Sequence, residues 1–197
     1  ISEIKAYVPK DNSISSGQVL KEPYEYEKAR LIVKEMTDLL VLDLVKKDLV
    51  CDQMVLTVGY DIENLTDEKR AAGYIGPIEV DHYGRRVPKS AHGSINLGGY
   101  TSSTKRIMDA VTDLFIQIVD ENLLVRRMYV VANHIKARTS VEKEKEEEYV
   151  QLSLFDMPDV PDEEEEKRER RMQKAILSIQ DRYGKNSLIK GMNLEEG

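Results

Sequence analysis

Two hydrophobic periods share this chain. Beyond Pro23, Ala29, Ile32, Val33, Met36, Leu40 and Leu44 recur at steps of three and four, while Lys28, Lys34, Asp38 and Lys46 fall elsewhere. That spacing predicts an amphipathic helix ending near Lys47, where Lys46 and Lys47 suit the negative end of the helix dipole. Between Cys51 and Ile62 the period changes to two. Met54, Leu56, Val58 and Tyr60 alternate with Gln53, Thr57 and Gly59, the mark of a strand with one buried face.

The remaining elements follow from the same two periods. Ser13–Leu20 reads as a short edge strand ending in Val19 and Leu20. A Gly-, Pro- and charge-rich stretch spans residues 64–91, with Asp81-His82-Tyr83-Gly84 as a hairpin tip. His92–Tyr100 is a further strand, weakened or bulged by Gly98-Gly99. Thr101 to Thr104 offer four hydroxyl N-cap candidates before a helix carrying Ile107, Val111, Leu114, Phe115 and Ile118. Val125–Ala132 is the last strand. The order β-α-β-(hairpin insert)-β-α-β predicts an α+β fold, a four-stranded sheet with both helices on one face, so that the other face meets solvent or a ligand.

Outside this unit, residues 1–12 read as a linker, and the absence of an initiator Met at Ile1 as the mark of a piece of something longer. The expected domain runs over 13–136. An acidic linker follows over 137–169, then a helix and tail over 170–197; the helical pattern itself begins near Glu164, with Met172, Ala175, Ile176, Ile179 and Tyr183 on one face.

The chain is 41% hydrophobic and 33% charged, which excludes wholesale disorder. No apolar run approaches the roughly 20 residues of a membrane helix. One cysteine, Cys51, excludes an intrachain disulfide framework and suits a reducing, cytoplasmic setting. The net charge of −7 disfavours nucleic acid until its distribution is considered. Residues 1–140 are nearly balanced, with 19 basic against 20 acidic side chains, whereas 141–170 carry 5 against 13. Between Asp81 and Asp109 there is no carboxylate, yet Arg85, Arg86, Lys89, Lys105 and Arg106 all lie there. Such a one-sign stretch suits an anion-facing surface.

Free N–H groups at a helix start, Ser/Thr hydroxyls and Arg/Lys together suit phosphate. Ser94, Asn96, Thr101, Ser102, Ser103, Thr104, Lys105 and Arg106 would then track a nucleic-acid backbone. The same residues also suit a well-capped helix beside a solvated loop. A base-stacking RNA platform needs strand aromatics, and only Tyr60 and Tyr129 stand there. Asp61 and Glu63, with Asp81 as a distant third, could face a metal in a nuclease, although a charged strand end gives the same pattern. His82, His92 and His134 lack ligand spacing, so no metal site is expected. No phosphate-binding glycine loop is present. The sole apolar island of the acidic segment is Gln151-Leu152-Ser153-Leu154-Phe155. It reads as a docking peptide, with Gln151 at a pocket rim and Leu152, Leu154 and Phe155 as its apolar side chains, unless the segment folds back on its own domain.

Ser13-Ile14-Ser15-Ser16-Gly17-Gln18-Val19-Leu20, Glu35-Met36-Thr37-Asp38-Leu39-Leu40, and His92-Gly93-Ser94-Ile95-Asn96-Leu97 through Ser103 also carry a resemblance. With Val125-Arg126-Arg127, they resemble the C-terminal part of Y-family translesion DNA polymerases of the DinB/UmuC type, especially the UmuC-like branch of Gram-positive bacteria. Gln151–Phe155 is similar to that family's sliding-clamp pentapeptide, and Arg182–Asn186 to Asn193 to its C-terminal tail. The resemblance implies a little finger domain gripping primer–template DNA from the major-groove side. It implies backbone contacts from Ser13, Ser15 and Ser16, from Ser94 and Asn96, and from Thr101 to Arg106. The insert with Arg85, Arg86 and Lys89 has no counterpart in the shortest members. Expected partners are DNA, the sliding clamp and other replication or damage-response proteins. No cofactor is expected in this piece; magnesium would serve a catalytic palm upstream of Ile1, without which the piece should not polymerise. A standalone nucleic-acid adaptor with the same fold is the alternative.

Overall fold

The first long helix forms on the predicted stripe. In the computed structural model, which describes residues 12–143, 163–188 and 191, β1 (Ile14–Tyr24) runs into α1 (Tyr26–Lys46) and then β2 (Leu49–Tyr60). Ala29, Val33, Met36, Leu40 and Leu44 of α1 are buried, as the three-and-four spacing requires. Asp38 departs from expectation: it is buried, in the same turn as Thr37, whose hydroxyl donates to the Val33 carbonyl at 2.7 Å. Asp48, with φ 53°, turns the chain out of α1 into β2.

After β2 come two helical turns that no period announces, α2 (Glu63–Thr66) and α3 (Glu68–Gly73). The insert closes with a small hairpin, β3 (Ile78–Val80) on β4 (Arg86–Pro88), around the predicted tip. Next are β5 (Ala91–Thr101), α4 (Thr104–Ile118) and β6 (Val125–Asn133), with β7 (Lys136–Ala137) extending β6 past a kink at His134. Finally α5 (Glu163–Tyr183) leads into a 3₁₀ turn at Lys185–Ser187.

The sheet is antiparallel in the order β1-β6-β2-β5, and β7 adds a short pairing at the start of β2. Four strands with α1 and α4 on one face match the expected architecture. Met54, Leu56 and Val58 of β2 and Met128, Val130 and Ala132 of β6 meet Phe115, Ile107 and Val111 of α4 in one core. The Phe115 ring packs on Tyr26 of α1 with centroids 5.0 Å apart. Pairing of Gln53 with Asn96 but Cys51 with Thr101 leaves a bulge over 97–100. Gly98 (φ 70°) and Gly99 (φ 146°) supply the backbone angles that this bulge needs. Among the described residues no helix is long and apolar enough to cross a membrane.

Candidate nucleic-acid interface

The sheet face away from α1 and α4 carries no covering helix among the described residues, and alternation decides what stands on it. Register aligns Gly17, Tyr129, Thr57 and His92 in one row across four strands. Ser15, Val131, Val55 and Ser94 form the next, and Asn133, Gln53 and Asn96 the third. Amide side chains link the third row: Asn133 Nδ2 donates to Gln53 Oε1 at 3.1 Å, and Gln53 Nε2 to Asn96 Oδ1 at 3.0 Å. Thr57 Oγ1 and His92 Nδ1 are 2.8 Å apart in the first. Two glycines keep this face low. An added Cβ at Gly17 would lie 2.7 Å from the Tyr129 ring, and one at Gly59 would lie 2.5 Å from Arg127 Nε. Tyr129 and Arg127 therefore lie along the sheet surface.

Of the residues expected to meet DNA, Ser15, Ser94 and Asn96 share this face, and Ser13, one alternation before Ser15, is exposed beside it. Ser16 does not: it pairs with Val130, whose side chain is in the core, so it stands on the helix side. Gln53, Thr57, Tyr129 and Asn133 join the face with no motif to mark them, and Arg127 and His92 join it from stretches that carry the resemblance. Extending the period-two alternation from Met54 and Met128 finds all but His92, which lies on β5 in step with Ser94 and Asn96. Tyr60 is no platform aromatic. It is buried, its hydroxyl accepts the Asp120 N–H at 2.9 Å, and burial pushes its phenol above the ordinary value.

The hydroxyl cluster at the start of α4 is largely engaged by its own chain. Thr101 and Ser102 are buried; Thr101 Oγ1 accepts the Ser103 N–H at 3.0 Å, and Ser102 Oγ accepts from Arg138. Ser103 is the N-cap, accepting the Arg106 N–H at 3.2 Å. Gln173 Nε2 of α5 donates to Thr104 Oγ1 and to the Ser102 carbonyl, both at 2.9 Å. Lys105 Nζ is 3.4 Å from Glu165, and Arg106 is 3.3 Å from Glu166 while donating to the Leu97 carbonyl at 2.6 Å. These residues are not an open phosphate track in this arrangement, because an acidic helix lies over them.

In the insert, Arg85 is held by Asp81, with Nε to Oδ2 at 2.8 Å, and the bond keeps the Asp81 carboxyl below its ordinary range. Arg86 and Lys89 are exposed. Asp61 serves the turn after β2: its carboxylate accepts the Glu63 N–H at 2.8 Å and lies 3.6 Å from Arg126, while Glu63 is exposed. Among the described residues no three His, Cys, Asp or Glu side chains converge as a metal site. Asp61 and Glu63 are thus not joined there by a third such side chain, and Asp81 is instead paired with Arg85. The pentapeptide Gln151–Phe155, the linkers over 1–11 and 144–162, and the end of the tail lie outside the described residues.

Over residues 11–154 the chain matches the impB/mucB/samB family C-terminal domain. No curated protein matches it. One solved structure to which it is similar is a complex of beta-clamp processivity factor and little finger domain of PolIV. The identity is 9% and the TM-score 0.39, with 61% of this chain and 86% of that one covered. With the family match spanning most of its length, the chain belongs to the impB/mucB/samB family and carries its C-terminal domain.

Proposed function

We propose that this domain holds primer–template DNA through the phosphate backbone and that the tail tethers the parent polymerase to a sliding clamp. The uncovered sheet face carries the reading. It is lined by amide and hydroxyl groups with Arg127 among them, on a domain whose other face is filled by helices. Such groups bond phosphate and sugar oxygens without distinguishing bases, so binding would show little sequence preference. Arg86 and Lys89 on the insert would add charge from one side. Gln151, Leu152, Leu154 and Phe155 would fill the clamp pocket.

Fluorescence anisotropy with labelled primer–template duplexes of unrelated sequence tests the DNA half. Arg127→Glu combined with Lys89→Glu should weaken binding tenfold or more, equally for each duplex. The slope of log affinity against log salt should become shallower by about 0.9 for every phosphate that these two cations neutralise. Unchanged affinity and slope would overturn the proposal.

A further inference from the structure

We propose that α5 is a releasable acidic cover on the DNA-binding domain, whose carboxylates stand where DNA phosphates would bind at the start of α4. The inference rests on the DNA-binding reading and adds a competitor from within the chain. Three carboxylates on one side of α5 meet the start of α4. Glu169 Oε1 accepts the Lys105 N–H at 3.1 Å, Glu165 lies 3.4 Å from Lys105 Nζ, and Glu166 lies 3.3 Å from Arg106. The Lys105 amide is among the helix N–H groups left without an intrahelical acceptor, so an anion there is favoured by both the donor and the dipole. Backbone phosphate would use the same amide and the same two cations.

The interface is polar rather than apolar, which makes it releasable. Gln173 reaches Ser102 and Thr104, Arg170 lies 2.8 Å from Asp48, and Lys46 lies 2.6 Å from Asp181. Met172 (61% exposed) and Tyr183 (68% exposed) stay in solvent, while Leu177 packs against the core. Half-exposed ion pairs hold weakly and are screened by salt. The docked state also carries a cost underneath: Arg138 Nε is buried with no hydrogen-bond partner, 3.5 Å from Asp48. Burial and the neighbouring Arg170 both disfavour its charge. Lifting α5 would return that guanidinium to water or to a phosphate, beside Ser102, Lys105 and Arg106.

The test compares the full chain with E165Q/E166Q/E169Q, in which Gln preserves helix propensity. A control, E22Q/E63Q/E121Q, removes equal charge from exposed positions elsewhere. Duplex binding at low salt should tighten about fivefold or more in the first variant and clearly less in the control. Hydrogen exchange at the Lys105 amide, slow in the free wild type, should quicken in the first variant. In the wild type with DNA added, exchange should quicken along residues 163–183 as the helix leaves. Equal tightening in both variants, or a Lys105 amide as protected in the first variant as in wild type, would overturn the cover while leaving DNA binding intact. A chain that binds no duplex in any form would overturn both.

Discussion

Cys51 lies fully buried at the start of β2, with its thiol 3.8 Å from the Met54 sulfur. Burial, with the charge of Asp52 beside it, pushes the thiol up to about 12. A thiol reagent at pH 8 should leave the native chain unlabelled, whereas the denatured chain labels at once; mass spectrometry reads the difference. Because the folded value is raised, the stabilisation is fully present below the ordinary thiol pKa of about 8.5 and is lost as pH rises from there towards 12. Denaturant midpoints in that window should fall less for Cys51→Ala than for the wild type. Composition marks Cys51 as a lone, non-disulfide residue, but its depth is not legible in the alternation: it lies three residues before Met54, on the opposite parity, and is buried where the register slips between Cys51 and Gln53. Ser16 shows the limit of residue-level reading. A serine-rich strand gives no clue to which serine faces which side, and only its pairing with Val130 decides it.

At the scale of elements, what is legible in the sequence has a period or a sharp punctuation. α1, α4 and the central strands show the first; the Asp81–Gly84 tip and the Gly98-Gly99 bulge show the second. The turns α2 and α3, of 4 and 6 residues, are too short to show a helical period. Their positions come instead from tertiary hydrogen bonds, such as Asn64 donating to Leu124 O and accepting from Leu124 N–H, at 2.9 and 2.8 Å. The side of α5 that docks is equally hidden, since periodicity marks apolar stripes and this helix docks largely through polar groups. For α4, the four candidate caps reduce to Ser103. Ser103→Ala should cost about 1 kcal/mol, measured as a fall of roughly 2–4 °C in the thermal midpoint. Ser102→Ala, whose hydroxyl accepts from Arg138 rather than capping α4, should leave the α4 amides' hydrogen exchange unchanged, in contrast to Ser103→Ala.

For the whole molecule, the family assignment covers the folded domain and reaches residue 154, inside the proposed clamp motif. A labelled peptide spanning Glu146–Pro158 should bind a bacterial sliding clamp in the micromolar range, and Phe155→Ala should abolish binding in the same anisotropy titration. Absence of binding by the unsubstituted peptide would remove the tether and leave the sheet face as the functional surface. If the domain grips DNA as proposed, even a weak clamp attachment would raise the effective concentration of the parent protein at a primer end.

The pairing of β1 with β6 has a mechanical consequence. Ile14 lies opposite Ala132, and just beyond them the Ile135 N–H donates to the Asn12 carbonyl at 3.1 Å, so the incoming chain and the end of β6 meet at one corner, from which β7 clips the outgoing chain to the start of β2. If a moving clamp pulled on the tail while the upstream chain was held, the load would arrive at that corner. It would peel the antiparallel pair open one hydrogen bond after another instead of shearing many together. The two-residue β7 clip and then the edge strand β1 would thus yield first under tension, and the β6-β2-β5 core of the sheet would be spared until they had given way.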